Sequence, residues 1–213
     1  MSGASAREAA LQKPWRSLRR EREAVSFGTW VFVASEAMLF AGPLLAYAAY
    51  RSLWPEAFAA AGRETDIVYG TVNTALLLTS SLTMAAAAEG ARAGLRRLTL
   101  TCLAATAALG LAFLVVKGFE YREDIHKHLI PGAGFRLDMP PAQIFFALYW
   151  LLTGVHALHL SIGIGITVTL LIQAWRGSRP LPSPAFESAG LYWHFVDLVW
   201  IFLYPLLYLM GRS

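Results

Sequence analysis

Six polar side chains lie inside stretches of the sequence that are otherwise apolar over the length of a helix. They are Glu36, Asn73, His156, His159, His194 and Asp197. Both His156/His159 and His194/Asp197 are spaced three residues apart, and side chains at that spacing share one face of a helix. Imidazole and carboxyl groups placed in this way can bind a metal or haem iron, transfer protons, or hydrogen-bond to one another between packed helices. All three roles require helices that bring these residues together.

A metal or haem site is the most specific of these roles. His156, His159 and His194 could supply three imidazoles, but a two-haem membrane site needs more on facing helices, and we expect the remaining His126 and His128 to lie in an external loop. We therefore expect no metal, no cofactor and no catalytic residue in this chain. Instead, we expect the histidines to hydrogen-bond carboxylates and backbone carbonyls between helices. Proton transfer and lipid-headgroup binding stay open as alternatives.

The composition is that of an integral membrane protein. Apolar residues make up 56% of the 213 residues and charged residues only 15%, with a mean hydropathy of +0.48; an ordinary soluble domain has about 25% charged residues. The single cysteine, Cys102, excludes a disulfide within the chain. The net charge of +4 comes from basic residues that flank apolar runs, which argues against nucleic-acid binding.

Five apolar runs have the length of membrane-spanning helices. They cover residues 27–50, 67–88, 97–117, 142–174 and 189–210, and a span requires about 20 residues. We predict an all-α polytopic membrane bundle of five transmembrane helices over residues 27–213, preceded by a basic cytoplasmic tail over residues 1–26. The fourth run is too long for an upright span, so its helix must tilt or extend beyond the membrane.

Two stripes of residues at helical spacing are predicted to face other helices, because a polar group at membrane depth needs a protein, water or headgroup partner. The stripe on the first helix is Thr29, Val33, Glu36, Phe40, Pro43, Tyr47 and Tyr50, and that on the last is His194, Asp197, Ile201, Tyr204 and Tyr208. On the fourth helix, the pairs Ser161/Gly165 and Gly163/Thr167 predict close approach of a neighbour.

The distribution of basic residues predicts the orientation. Eleven of the Lys and Arg residues lie in the N-terminal tail or in loops on its side, and seven lie on the other side. The positive-inside rule then places the N-terminus in the cytoplasm and the C-terminus outside. As candidate contacts with lipid or a partner we take Arg51, Trp54, Arg176 and Trp193.

Five segments, in order, carry a family resemblance. They are GTWVFVASEAMLFAGPLLAYAAYR from residue 28, NTALLLTSSLTM from 73, KGFEY from 117, HALHLSIG from 156 and YWHFVDLVWIFLYPLLYL from 192. Together they extend over about residues 27–209 and resemble the subunit III family of haem-copper oxidases, the cytochrome c oxidase subunit III family, in its five-helix bacterial form.

The resemblance implies an accessory role in aerobic respiration. Members of this family carry no haem or copper. They pack beside catalytic subunits I and II of a proton-pumping terminal oxidase that passes electrons from cytochrome c to oxygen in the bacterial plasma membrane. They bind phospholipid and help to sustain proton uptake and enzyme lifetime. Haem and copper are then expected in the partner subunits.

The resemblance also assigns individual residues. Glu36 corresponds to the family's carbodiimide-reactive membrane glutamate, and His156 and His159 correspond to its paired histidines, with Ala157 where glycine is usual. His194 and Asp197 correspond to the terminal motif WHFVD.

Two other functions stay open. The chain could be the equivalent subunit of a quinol oxidase or of a nitric oxide reductase complex, because the electron donor docks on another subunit. A small proton-coupled transporter, with Glu36 and Asp197 as relays, is the alternative from a different class. The sequence has no internal inverted repeat, which argues against a transporter.

Overall fold

A computed structural model describes residues 18–212, and these residues form six α-helices and no β-strand. The helices are α1 (Leu18–Leu53), α2 (Pro55–Glu64), α3 (Ile67–Arg92), α4 (Arg96–His126), α5 (Pro140–Arg176) and α6 (Pro184–Tyr204), and α6 continues into a π-helical turn, Pro205–Leu209. Residues 1–17, which form most of the predicted basic tail, lie outside the described residues, as does Ser213.

Five of these helices are long and apolar enough to cross a membrane, which confirms the predicted all-α polytopic bundle. The spans are Glu23–Leu53, Ile67–Arg92, Arg96–His126, Pro140–Arg176 and Pro184–Leu209. Helix α5 has 37 residues, a length of about 55 Å at 1.5 Å per residue. This exceeds a hydrocarbon core of about 30 Å, so α5 either tilts strongly or extends beyond the membrane, as predicted.

The ends of the helices follow from local sequence. Pro55, Pro140 and Pro184 occupy first-turn positions, where the missing N–H costs no hydrogen bond. The side chain of Asp66 accepts a hydrogen bond from Val68 N and so caps α3. Helix α5 ends at Arg176 and is capped by Gly177, whose φ of 67° favours glycine.

The third predicted span ended too early. An apolar run stops at Lys117, but α4 continues for more than two further turns to His126. Lys117, Glu120 and Asp124 are therefore inside the helix, and all three side chains are buried. Their charges interrupt the hydropathy pattern, but Lys117 pairs with Glu120 and Asp124 contacts the hydroxyl of Tyr149, so they do not end the helix.

Helix α2 was not predicted. It has ten residues, and its buried positions include Phe58 and Ala61. The ring of Phe58 packs between Tyr47 of α1 and Phe145 of α5, with centroids 5.4 and 5.6 Å away. A helix this short carries too few apolar residues to register as a span, and it closes one end of the bundle.

Helix α1 lies at the edge of the bundle. Only 11% of the residues in its most apolar stretch are buried, against 56% for the corresponding stretch of the last span. Within the predicted stripe, Phe40 and Tyr47 are buried, whereas Tyr50 is 37% exposed. The outer face carries large apolar side chains such as Phe27 and Met38, which are 73% and 78% exposed. That face is free for lipid or a partner.

More of the circumference of α6 is buried than the predicted stripe covers. Ile201 is 43% exposed, while buried residues occupy most of the remaining circumference, including Trp193, Val196 and Trp200. On α5, Gly163 and Thr167 face the bundle, but Ser161 and Gly165 are exposed. Only one of the two predicted small-residue pairs therefore contacts a helix of this chain.

Candidate functional site

Glu36 and His159 form a polar pair between α1 and α5. Glu36 Oε2 lies 2.8 Å from Nε2 of His159, and Nδ1 of His159 lies 2.7 Å from the carbonyl oxygen of Val155. Because a carbonyl can only accept, Nδ1 must carry a proton. The contact between Nε2 and Oε2 then needs one further proton. That proton lies on nitrogen in an ion pair or on oxygen in a neutral pair, so the two side chains share it.

The pair is enclosed on the bundle side. The ring of Phe40 lies 5.4 Å from the imidazole of His159, and the hydroxyl of Tyr192 donates to the carbonyl oxygen of His159 at 2.9 Å. The Glu36 and His159 side chains keep 19% and 10% of their exposure. Glu36 thereby ties the peripheral helix α1 to α5 beside α6.

Three of the predicted residues are buried without a hydrogen-bond partner. Among residues 18–212, no group lies in good hydrogen-bond geometry with the polar side-chain atoms of Asn73, His156 or Asp197. The hydroxyl of Ser81, which bonds to His194, is the polar group that approaches Asp197. The imidazole of His156 packs between Phe113 and Trp200, with ring centroids 5.5 and 5.0 Å away. His156 is therefore not the partner of Glu36. A buried polar group without a partner costs about 1–3 kcal/mol.

His194 does not pair with Asp197. Its Nδ1 instead lies 2.7 Å from the hydroxyl of Ser81 on α3. On the same interface, the indole N–H of Trp200 donates to Thr74 Oγ1 at 3.0 Å. These bonds fix the register of α6 against α3.

Trp193 requires a correction. We predicted a lipid or partner contact, but this side chain is 1% exposed and its indole N–H donates to Ser80 Oγ at 3.0 Å. Its ring fits against Gly110 and Gly163, where a Cβ atom would come within 2.9 and 3.3 Å of it. Trp193 is an internal packing residue. An indole near the end of an apolar run has the same sequence signature whether it faces lipid or a glycine on a neighbouring helix.

The other three predicted contacts lie near the helix ends. Trp54 is 39% exposed and stacks on Tyr50, with ring centroids 5.6 Å apart. Arg51 is partly exposed in the last turn of α1, and Arg176 is exposed in the last turn of α5. All three are accessible to lipid or to another subunit.

A second polar cluster was missed from the sequence. It contains Lys117, Glu120 and Asp124 of α4, Tyr149 of α5 and Tyr208 of the π-helical turn, none more than 3% exposed. We call it the lysine cluster. Lys117 Nζ donates to Glu120 Oε2 at 2.9 Å, to Tyr149 Oη at 3.0 Å and to Tyr208 Oη at 2.7 Å.

Glu120 and Tyr149 complete the cluster. Glu120 Oε1 lies 2.7 Å from Tyr208 Oη and 2.8 Å from Tyr149 Oη, and Asp124 Oδ2 lies 2.8 Å from Tyr149 Oη. The spacing 117/120/124 places the three charged residues on one helix face and could have revealed them. We had assigned the stretch after Lys117 to a loop.

No group of three or more His, Cys, Asp or Glu side chains within the described part of the chain is arranged to hold a metal ion. His159 is engaged by Glu36, His194 by Ser81, and His156 by two aromatic rings. The three membrane histidines therefore contact neighbouring helices of this chain.

Comparisons with known proteins point in one direction. The model of a family described as cytochrome c oxidase subunit III matches residues 16–212. Cytochrome c oxidase subunit 3 of a Synechocystis strain is 32% identical over 194 residues, covering 86% of this chain and 75% of that protein. Cytochrome bo(3) ubiquinol oxidase subunit 3 of Pseudomonas aeruginosa is 32% identical over 187 residues, covering 87% of this chain and 84% of that protein. Heme-copper oxidase subunit I+III of Aeropyrum pernix is 30% identical over 200 residues, covering 89% of this chain but 23% of that protein.

Proposed function

The chain belongs to the cytochrome c oxidase subunit III family, and on that premise we propose that it packs directly against catalytic subunit I, with subunit II in the same complex. It is an accessory, non-redox subunit of a haem-copper oxidase in a bacterial membrane and associates with the catalytic subunits. The name of the Aeropyrum pernix relative supports direct contact, because it assigns subunits I and III to one chain. Haem and copper then belong to the partner subunits.

The Glu36–His159 pair is the observation that carries the accessory role. Glu36 Oε2 and His159 Nε2, 2.8 Å apart, join α1 to α5. The outer face of α1 carries exposed apolar side chains such as Trp30 and Leu39. An internal polar link behind an apolar outer face suits a subunit that supports a neighbour. We propose that the pair keeps α1 positioned against the neighbouring subunit or lipid, and thereby sustains proton uptake and enzyme lifetime.

A groove between α1, α5 and the start of α6 suits a phospholipid. It has a volume of about 550 Å³, and apolar residues such as Phe32, Ile166 and Leu170 line it, with Arg179 among the few polar ones. Arg179 donates to Gln173 and Ser183 through Nε and one terminal nitrogen. A guanidinium has five N–H groups, so further donors can meet a phosphate.

Lipid analysis tests this groove. Phospholipid bound per purified chain should fall when Arg179 is replaced by Ala, because the phosphate loses its cationic partner. The matched control is Arg122→Ala, at an exposed position of α4 away from the groove, which should keep the lipid. Equal lipid content in the two variants would contradict the assignment of the groove.

We also propose how the chain is oriented in the membrane and where its N-terminal tail meets the transmembrane domain. Lys117 is buried inside α4 and does not count as a loop charge, so the basic bias becomes eleven to six. We propose a cytoplasmic N-terminal tail over residues 1–26, a transmembrane domain over residues 27–213 and an external C-terminus. An impermeant thiol reagent should label Ala133→Cys in intact cells and Ser178→Cys only after permeabilisation. The reverse pattern would invert the topology.

Purification tests the partnership. A tagged chain extracted in mild detergent should carry along subunits I and II, with a haem spectrum and copper, and should bind no haem when separated from them. A colourless chain obtained alone would contradict the proposal.

The electron donor is a separate question. We propose cytochrome c, in line with the family description and the Synechocystis relative, and the Pseudomonas aeruginosa relative favours ubiquinol as the alternative. Oxygen uptake by the purified complex with reduced cytochrome c should exceed that with ubiquinol. The opposite order would assign the chain to a quinol oxidase.

A further inference from the structure

The lysine cluster has more short polar contacts than it has hydrogens. Six contacts of 2.7–3.0 Å join its five side chains. A charged Lys117 supplies three hydrogens, and the hydroxyls of Tyr149 and Tyr208 supply one each. Five hydrogens cannot fill six contacts. Unless the single hydrogen of Tyr149 is divided between two carboxyl groups, the contact between Tyr149 and Asp124 has no hydrogen of its own and its two oxygens, 2.8 Å apart, would repel. A sixth hydrogen on a carboxyl group removes this repulsion.

The charge balance leads to the same result. Lys117, Glu120 and Asp124 are 2%, 1% and 3% exposed. If both carboxyl groups were ionised, the cluster would hold a net negative charge inside the membrane-spanning part of the bundle, which is costly unless another cation compensates it. Apart from the contact between Lys117 and Glu120, every short contact within the cluster involves a tyrosine hydroxyl. One additional proton makes the cluster neutral.

The contacts identify which carboxyl group holds the proton. Glu120 Oε2 is the direct partner of the Lys117 ammonium at 2.9 Å, and Glu120 Oε1 faces the hydroxyls of both Tyr149 and Tyr208. Glu120 therefore faces three donors and acts as the ionised acceptor. Asp124 has a single contact in the cluster, with Tyr149 Oη. The Tyr149 oxygen can accept from both Lys117 and Asp124 while its own hydrogen goes to Glu120.

We propose that the lysine cluster is a proton-binding site in which Asp124 carries the proton as a neutral carboxylic acid and donates it to Tyr149. Asp124 lies two residues before the end of α4 at His126, so the site is close to a membrane surface. Beside it, the half-exposed Glu123 accepts a hydrogen bond from Tyr69 of α3 and lies 3.9 Å from Lys127, and the ring of Tyr121 faces Lys117 from the same helix. Release of the proton would leave the contact between Asp124 and Tyr149 without a hydrogen and would drive the two groups apart.

Infrared difference spectroscopy on the full chain, purified in mild detergent with its bound partners, tests this site. The spectrum of the wild type minus that of Asp124→Asn should contain one carbonyl band of a protonated carboxyl group, and that band should shift in D₂O. Glu123→Gln, which changes the half-exposed neighbour and keeps an acceptor for Tyr69, is the matched control and should lose no such band. The same band in the Glu120→Gln difference spectrum, with none for Asp124→Asn, would overturn the assignment.

Thermal unfolding gives an independent measurement. The amide that Asp124→Asn introduces can donate to Tyr149 in place of the acid, so this variant should unfold at a temperature close to the wild type. Glu120→Gln leaves the Lys117 ammonium without its counter-ion and should unfold at a clearly lower temperature. Equal losses in the two variants, or failure of Asp124→Asn to fold while Glu123→Gln folds, would contradict a neutral Asp124. The test needs no oxidase activity, so its failure would leave the proposed function standing.

Discussion

Glu36 Oε2 and His159 Nε2 lie 2.8 Å apart across the interface between α1 and α5. Because Nδ1 of His159 is already committed to the carbonyl oxygen of Val155, one proton serves this contact. Helix α1 is the least buried of the membrane spans, so a polar bond here acts where the apolar packing is weakest.

Two substitutions of Glu36 distinguish the effect of losing its carboxyl group from the effect of losing its hydrogen bond to His159. Glu36→Gln can still hydrogen-bond to His159, so it should leave assembly largely intact and reduce proton pumping or enzyme lifetime only modestly. Glu36→Ala leaves Nε2 of His159 without a partner, at a cost of about 1–3 kcal/mol, and should loosen the subunit from its complex. Subunit retention and thermal unfolding measure the difference. Loss of all oxygen reduction in both variants, in a complex that stays assembled, would make Glu36 catalytic and contradict the accessory role.

Glu36 should react with a hydrophobic carbodiimide. Its side chain is 19% exposed on α1, within a helix that faces the membrane phase, and such reagents attack protonated carboxyl groups. Glu89 is the control, because its side chain is 72% exposed and pairs with Arg92 at 2.9 Å. Peptide mass spectrometry should find the label on Glu36 and not on Glu89. The reverse distribution would place Glu36 in water.

Asn73 offers a test of its missing hydrogen bonds. It is fully buried, and neither amide atom has a partner in the described part of the chain. Asn73→Leu removes the unpaired groups with a moderate gain in volume, so it should leave stability unchanged or raise it, by up to about 1–3 kcal/mol. Thermal unfolding checks this. Strong destabilisation would show that the amide has a bound partner in the membrane.

The number and type of the membrane-spanning helices could be predicted from the sequence, since apolar length alone fixes them. The lysine cluster was missed because hydropathy alone ended the apolar run at Lys117, although the helical spacing of Lys117 and Glu120 allows them to pair on the next turn. A hydropathy profile does not detect such an ion pair, because it scores each residue separately.

The partners of the membrane histidines were also only partly predictable. Spacing places His156 and His159 on one face, but it does not say which one meets Glu36, since that depends on how α1 rotates against α5. The structure selects His159 and leaves His156 between aromatic rings. For Trp193, the deciding feature is the absence of a side chain at Gly110 and Gly163 on other helices.

Gly110 should be sensitive to the smallest substitution. A Cβ atom there would lie 2.9 Å from Cη2 of Trp193, which is itself buried and hydrogen-bonded to Ser80. Gly110→Ala should therefore destabilise the bundle by about 1–3 kcal/mol. Gly154→Ala on α5 is the matched control, because nothing lies within 4 Å of its added methyl group. Equal unfolding temperatures for the two variants would contradict the close approach of Trp193.

Oxygen consumption by the complex with and without this chain is the most direct test of an accessory role. When the chain is removed from the purified oxidase, the haem and copper content and the initial rate of oxygen reduction should be kept, while the rate should decline faster during continued turnover. Adding the chain back should restore the longer lifetime. Loss of haem or copper together with the chain, or loss of activity from the first turnover, would contradict the account.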